Sequence, residues 1–199
     1  MLTVRDTTVR HFTHPSHPLQ YVTWNTQFRC DGCKLLGYGN RYRCDTCDFD
    51  LHEYCCTCPT SLTSFLHPTH QLTREVMNPQ GQRDMEHKCN VCRMFVNGLF
   101  YRCRECDFDV HPLCAQLPQH TRHPQHAHHV LRLQAGPSVA SCVVCAEPLS
   151  NALGYRCETS DLGFHLKCFN STLRPGPNII SGGDDGGDLN SLISWAVII

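Results

Sequence analysis

The chain has 199 residues, of which 17 are lysine or arginine and 18 are aspartate or glutamate, giving a formal net charge of −1. This balance excludes a positive field over the whole chain that would attract nucleic acid or anionic lipid. Cysteine (16) and histidine (14) together supply 30 residues, whereas aromatic residues make up only 9%. A large apolar core is therefore not expected, and cross-links or metal ions must stabilise the fold.

The cysteines indicate either disulfides in an oxidising compartment or metal sites in a reducing one. Residues 1–6 lack the apolar run of a secretory signal, and the apolar run at 192–199 is far shorter than a bilayer span. Five Cys-x-x-Cys pairs also recur, a pattern that disulfide frameworks rarely repeat. We therefore predict reduced, metal-binding thiols in a cytoplasmic or nuclear protein without a transmembrane segment.

One pattern occurs three times along the chain. Each copy has a first Cys-x-x-Cys pair, a Tyr-x-Cys-x-x-Cys element that contains a middle pair, and a closing His-x-x-Cys. In the third copy, Ser160 replaces the second cysteine of the middle pair. Eight positions separate the Tyr-x-Cys cysteine from the closing histidine in every copy. The elements stand at 30–33, 42–47 and 52–55; at 89–92, 101–106 and 111–114; and at 142–145, 155–160 and 165–168.

A leading His-Pro-x-His element accompanies each copy, at 14–17, 67–70 and 123–126. The residue before a proline favours extended backbone, so we predict strands or loops here. Short alternating stretches such as 100–103 predict strands of a small sheet, and each closing His-x-x-Cys can begin a short helix. From residue 172 onward, stretches rich in glycine and proline predict a disordered tail. The predicted domains are repeat 1 at 11–66, repeat 2 at 67–122, repeat 3 at 123–171 and a disordered tail at 172–199.

The spacing is typical of structural zinc sites, in which four Cys or His side chains surround the ion as two close pairs from separate turns. In each copy the first pair can join the closing His-x-x-Cys, which gives a complete Cys3His set. These sets are Cys30, Cys33, His52 and Cys55; Cys89, Cys92, His111 and Cys114; and Cys142, Cys145, His165 and Cys168.

The middle pairs need two further ligands each, and the leading His-Pro-x-His elements are the available source. We expect each element to close one copy with its first histidine and to open the next copy with its second. Cys58 in place of His67 is an open alternative, as is a shift of register to His14 or His120. The predicted sets are Cys44, Cys47, His17 and His67 in the first copy, and Cys103, Cys106, His70 and His123 in the second.

The third copy retains Cys157 but has Ser160 where a ligand is needed, and no histidine follows its closing element. His126, His128 and His129 are therefore expected to surround a lost site. About five zinc ions per chain are predicted. The predicted fold class is small, metal-stabilised α+β: three tandem zinc-finger repeats, each a small antiparallel sheet plus one short helix, with the third repeat degenerate.

These motifs resemble the divergent C1 domain, a cysteine- and histidine-rich module found in many plant proteins. The resemblance rests on His-x12-Cys-x2-Cys, Tyr-x-Cys-x2-Cys-x-Phe-x-Leu/Val-His-x2-Cys and His-Pro-x-His, and extends over roughly residues 11–170. The family is similar to the diacylglycerol/phorbol-ester finger, which interleaves two zinc sites in a small sheet with one short helix. The resemblance thus implies crossed sites, in which the first pair joins the closing element and the middle pair joins leading histidines.

Four protein ligands leave no position for water or substrate, which favours a structural metal. We therefore predict a non-catalytic, zinc-binding adaptor of intracellular signalling, with a role in stress responses that the family resemblance suggests and a protein as its partner. Lipid binding is an alternative, although residues 26–29, directly before the first pair, contain no proline and residues 39–41 lack the glutamine of the diacylglycerol finger. Nucleic-acid binding is disfavoured by the short helices and the net charge.

The second functional hypothesis is a redox protein similar to protein-disulfide reductases, because Cys-x-x-Cys is also a redox motif. No strand–helix–strand pattern surrounds any of the pairs, and thiolates held by zinc are poor nucleophiles for disulfide exchange. Cys56 and Cys58, which have no evident ligand role, are expected to be the most reactive thiols.

Overall fold

The computed structural model describes residues 8–77, 87–136, 140–149 and 153–171. These residues form three small sheets with few and short helices, as predicted. The chain divides into two compact units between Leu117 and Pro118. The first unit contains two four-stranded sheets, and the second contains one five-stranded sheet. The predicted tail at 172–199 lies outside the described residues.

The first sheet is antiparallel and follows chain order. Its central hairpin places the start of the second strand beside the end of the third, since Gln20 pairs with Arg43. The leading His-Pro-x-His and the middle cysteine pair are thereby brought to the same end of the sheet. The elements are β1 (Thr8–His11), β2 (His14–Arg29), β3 (Leu36–Cys44), β4 (Phe49–Leu51) and α1 (Glu53–Thr57).

The second sheet has the same order and direction of strands. Its first strand lies before residue 67, where repeat 2 was predicted to begin. This strand forms a hairpin with the strand that starts at His67. In that hairpin Leu62 pairs with Leu72. The elements are β5 (Ser61–Ser64), β6 (His67–Val76), β7 (Leu99–Cys103), β8 (Phe108–Val110) and α2 (Pro112–Ala115).

The third sheet keeps the central antiparallel strands and adds one parallel pair, between β11 and β13. The antiparallel sheet predicted for this copy therefore contains a parallel edge. The elements are β9 (His120–Thr121), a 3-10 turn (Pro124–His126), β10 (Leu131–Gln134), β11 (Ser141–Cys142), β12 (Gly154–Cys157), β13 (Leu162–His165) and α3 (Leu166–Ser171).

A small core repeats under each sheet. Equivalent strands bury one leucine, one tyrosine and one further apolar residue, and the ligand cysteines complete the core. The helices span only four to six residues, too few to be stable in isolation, so they depend on these contacts. The repeated core residues are Leu19, Tyr42 and Leu51; Leu72, Tyr101 and Val110; and Leu131, Tyr155 and Phe164.

A tyrosine hydroxyl ties each of the later sheets to the segment that enters it. The Tyr101 hydroxyl donates to the carbonyl oxygen of Pro59 at 2.7 Å, and the Tyr155 hydroxyl donates to that of Pro118 at 2.9 Å. Both prolines lie just before the first strand of the sheet in question. The bond fixes where the chain enters each sheet.

The two sheets of the first unit meet through backbone contact. The amide of Leu99 donates to the carbonyl oxygen of Gly32 at 2.7 Å, and Gly98 packs against the same carbonyl. The guanidinium group of Arg74 lies 4.1 Å from the ring centroid of Phe12. Gly32 lies inside a Cys-x-x-Cys pair, so this contact joins a cysteine turn of one sheet to a strand of the other.

We expect Gly98→Ala to destabilise the first unit by about 1–3 kcal/mol, because its Cβ would overlap the backbone oxygen of Gly32, which no side-chain rotation can relieve. Thermal unfolding of the metal-loaded protein measures the loss. Hydrogen exchange should show faster exchange at Leu99, while the amides of the Tyr101–Val110 strand pair within β7 and β8 serve as an internal control. An unchanged midpoint would show that this contact does not join the sheets.

Candidate metal centres

The structure gathers cysteine and histidine side chains into groups of four. In each group one ligand atom per residue lies within 4.8 Å of the other three. All sixteen cysteines of the chain are free thiols. Five such groups are Cys30, Cys33, His52 and Cys55; Cys89, Cys92, His111 and Cys114; Cys142, Cys145, His165 and Cys168; His14, His17, Cys44 and Cys47; and His67, His70, Cys103 and Cys106.

The first three groups are the predicted Cys3His sets, and their geometry suits tetrahedral zinc. The distance from Sγ of the second cysteine to Nδ1 of the histidine is 3.4 Å in all three: Cys33–His52, Cys92–His111 and Cys145–His165. Zn–S bonds of about 2.3 Å and Zn–N bonds of about 2.0 Å at a tetrahedral angle give a ligand separation of about 3.5 Å. The side chains are therefore placed to bind one ion without rearrangement.

A backbone carbonyl orients each of these three histidines. The Nε2 atom donates to the carbonyl oxygen of Leu36 from His52, of Phe95 from His111, and of Pro148 from His165, at 3.2–3.3 Å. This bond leaves the lone pair of Nδ1 directed at the thiols. Metal-binding histidines in proteins are commonly held by such an outer bond.

The first cysteine pair of each copy lies on a tight turn with the same backbone shape. In all three, the residue after the second cysteine has a positive φ: 63° at Lys34, 65° at Arg93 and 60° at Ala146. Its amide donates to the carbonyl oxygen of the first cysteine at 2.8 Å. This conformation turns both thiols to one side, where they can share an ion.

Electrostatics within the second copy favour a cation at the centre of the group. Burial opposes ionisation of Cys89, yet hydrogen bonds with Cys114, Cys92 and His111 lower the pKa of its thiol well below the ordinary value. Burial also opposes protonation of His111, but the thiols of Cys89 and Cys92 raise its pKa to about 10. Hydrogen bonds to Cys89 and Cys92, together with burial, raise the pKa of Cys114. A divalent ion would supply the positive charge that this group otherwise takes from a proton.

The two groups around the middle pairs contain both histidines of one leading element. Nδ1 of His17 lies 3.2 Å from Sγ of Cys47, and Nδ1 of His70 lies 3.1 Å from Sγ of Cys106. The first histidine of each element stacks on a phenylalanine, with ring centroids 4.5 Å apart for His14–Phe49 and 4.8 Å apart for His67–Phe108.

Two buried nitrogen atoms in these groups support metal binding. Nε2 of His14 and Nε2 of His67 are buried and have no hydrogen-bond partner. A buried polar atom without a partner is costly, and a metal bond at that nitrogen removes the cost. Outside the second of these groups, the carboxylate of Glu105 lies 3.2 Å from Nε2 of His70, in position to orient its ring.

The predicted division of each leading element between two copies is therefore corrected. His67 does not join Cys44 and Cys47; His14 takes that place. The reason is the strand register: each element begins the strand that pairs with the strand ending in its own middle pair, so both histidines reach the same site.

His123 is likewise not in the group of Cys103 and Cys106, where His67 lies instead. It is buried in the second unit, with its ring centroid 4.2 Å from that of Phe164. Its Nε2 donates to the carbonyl oxygen of Phe169 at 3.3 Å, while its Nδ1 accepts the amide of Gln125. Both nitrogen atoms are thus used within its own copy.

The third copy brings together His126, His129, Cys157 and Ser160, while His128 is exposed. The sequence contained a signal for this register, because the spacing that predicted His17 as a ligand recurs at His129. Thirteen positions separate His17 from Cys30, and the same number separate His129 from Cys142.

The expectation that Cys56 is a reactive thiol is wrong. Its side chain is buried at 7% exposure, and burial together with the charges of Cys58 and Cys30 raises its pKa to about 12. Cys58 is also buried, and its Sγ donates to the carbonyl oxygen of Cys55. Both thiols belong to the core that supports the helix α1.

Comparison with known proteins shows which proteins are similar to this chain. The chain is 29% identical over 171 residues to diacylglycerol kinase theta from Homo sapiens and 28% identical over 170 residues to that from Rattus norvegicus; each match covers 77% of this chain. The chain spans 18% of the length of these kinases. A shorter segment of 47 residues, 24% of this chain and 8% of the relative, is 43% identical to Probable nucleoredoxin 1 from Arabidopsis thaliana.

No solved structure matches the chain. Among the described residues, every helix is too short or too polar to cross a bilayer. Residues 12–56 and 65–115 match the family model of the C1 domain. Each segment contains the four metal-ligand elements of one copy: the leading His-Pro-x-His, the first cysteine pair, the middle pair and the closing His-x-x-Cys. By this match, each of the two segments is identified as a C1 domain.

Proposed function

We propose that the protein is a non-catalytic interaction module of intracellular signalling, stabilised by about five zinc ions. The observation that carries this proposal is the set of five groups in which four Cys or His side chains converge. Cys3His and Cys2His2 sets of tetrahedral shape suit zinc, because thiolate and imidazole ligands select it over harder cations. Four protein ligands per ion leave no position for a substrate.

We further propose that the third copy is a degenerate C1 repeat. Its Cys3His group, its cysteine turn and its buried tyrosine reproduce those of the first two copies. The proposed arrangement is thus three zinc-finger repeats in tandem, of which the third lacks a complete second site.

A surface of exposed aromatic side chains on the first sheet supports binding of a protein partner. Trp24 is 41% exposed and Tyr38 is 45% exposed, both on the β2–β3 hairpin. The guanidinium groups of Arg41 and Arg43 lie 4.7 Å and 5.0 Å from the ring centroid of Trp24. Tryptophan, tyrosine and arginine dominate binding energy at protein interfaces. Binding of diacylglycerol, which the names of the kinase relatives suggest, is the alternative for this module.

We expect the full chain to retain five zinc ions after dialysis against a weak chelator, and His14→Ala to retain four, because His14 is the fourth ligand of the first middle pair. His120→Ala, which removes an exposed histidine, should still retain five. Elemental analysis with a protein assay measures the count. Three ions in the unaltered chain, or five in His14→Ala, would contradict the assignment of the leading histidines.

Removing the metal should unfold both units, because the core is small and the thiols that line it repel one another once ionised. A strong chelator should abolish dispersed amide NMR signals, and added zinc should restore them. Lowering the pH should also release zinc, since protons compete for the thiolates. Retention of the native spectrum without metal would show that zinc does not hold this fold.

The redox hypothesis predicts reactive thiols that exchange with disulfides, whereas the proposed function predicts thiols that are held by zinc or buried. We expect the zinc-loaded chain to show no reduction of insulin disulfides, and Cys56 to stay unmodified by iodoacetamide at pH 8 because it is buried. The same reagent applied to denatured protein is the control for reactivity. Turnover in the insulin assay, or rapid modification of Cys56 in the folded chain, would favour the disulfide-reductase function.

A further inference from the structure

We propose that the third copy contains one more metal site, of an open kind, formed by Cys157, His126 and His129 with the Ser160 hydroxyl at the fourth position. The site would take a divalent ion of zinc type in exchange with the solution. This inference rests on the proposed function only in treating the other sites as closed zinc sites.

The strand register of the third copy shows which of its histidines correspond to the ligand histidines of the first two copies. The amide of Gln125 donates to Nδ1 of His123 at 3.2 Å. The same bond occurs in the first copy, from Thr13 to His11 at 3.3 Å, and in the second copy, from Leu66 to the Ser64 hydroxyl at 3.2 Å. His123 is thus the turn residue equivalent to His11 and Ser64, and it is not a ligand.

The two histidines that follow this turn residue occupy the ligand positions. His14 and His67 lie three residues after the turn residue in their copies, and His126 lies three residues after His123. A fully buried leucine follows each of these histidines after five positions. The fully buried leucines are Leu19, Leu72 and Leu131. His126 and His129 therefore correspond to the histidine pairs of the closed middle sites.

The ligand atoms are also equivalent. Nδ1 of His129 lies 3.4 Å from Sγ of Cys157. Nε2 of His126 lies 3.5 Å from Oγ of Ser160. At the position equivalent to Cys157, Sγ of Cys103 lies 3.7 Å from Nδ1 of His70. The separations in the third copy agree with the distance of about 3.5 Å between ligands of a tetrahedral zinc ion. Only the fourth atom differs, a hydroxyl oxygen in place of a thiolate.

This difference changes the kind of site. A neutral hydroxyl is a weak ligand, so the ion would have three strong protein ligands and one exchangeable position, as in zinc sites that bind water or substrate. The Thr159 hydroxyl lies 3.0 Å from Nδ1 of His129 and 3.2 Å from Sγ of Cys157, and it holds these two side chains together. His129 is exposed, which leaves the ion open to solvent. Occupancy would thus follow the free metal concentration, whereas the closed sites stay filled.

The test is a Co2+ titration of the full chain whose closed sites have first been filled with zinc. We expect one equivalent of Co2+ to bind and give a thiolate-to-metal absorption band, and azide to shift its d–d bands by entering the open position. Cys157→Ser and His129→Ala should each lose that equivalent. His128→Ala, which removes the neighbouring exposed histidine, should keep it. Equal binding by all four proteins, or none by the unaltered chain, would overturn the proposal.

A gain of ligand gives an independent test if Cys157→Ser fails to fold. Ser160→Cys should convert the open site into a closed one, so that the variant retains one more zinc ion through chelator dialysis than the unaltered chain does. Ser160→Ala is the matched control and should retain no additional ion. Equal retention by Ser160→Cys and the unaltered chain would contradict the site. Loss of the closed-site ions in the unaltered chain would instead count against the proposed function.

Discussion

The convergence of thiols and imidazoles on single points is the constraint on which the fold depends. Each sheet has few strands and each helix only one or two turns, so apolar burial alone is insufficient for stability. The Cys3His groups join a turn, a strand end and a helix that lie far apart in the chain. The groups around the middle cysteine pairs join the strands at the opposite end of the same sheet. We therefore expect folding and metal binding to be one process in this chain.

Much of this arrangement follows from the sequence. The three Cys3His groups were predictable because both of their pairs have fixed spacing within one copy, and the predicted α+β class with small sheets and few helices agrees with the structure. Of the histidine partners of the middle pairs, His17 and His70 were also predictable, whereas the choice between His14 and His67 was not, since both precede a proline and both fit a ligand role by spacing. Only strand register decides between them, and register depends on pairing across the sheet.

The third copy shows why a motif can mislead. His-Pro-x-His at 123–126 has the same letters as the elements at 14–17 and 67–70, yet it lies three residues earlier in the fold, and its first histidine is a buried turn residue. The physical requirement at that position is an acceptor for a backbone amide, which histidine and serine both satisfy. At His123, the identity with the other two elements therefore reflects the acceptor that the turn requires.

The hydrogen bonds from Tyr101 to Pro59 and from Tyr155 to Pro118 bear on how repeats can be added to such a chain by gene duplication. The two prolines are 59 residues apart, and each starts a stretch that carries its own entry strand, its own histidine pair and its own anchoring tyrosine. A gene duplication that begins at the proline would copy the entry strand together with the tyrosine that holds it. One that begins at the histidines separates the entry strand from the tyrosine that holds it. In the second and third copies, the stretch that begins at the proline therefore keeps the entry strand and the tyrosine that holds it together in the chain.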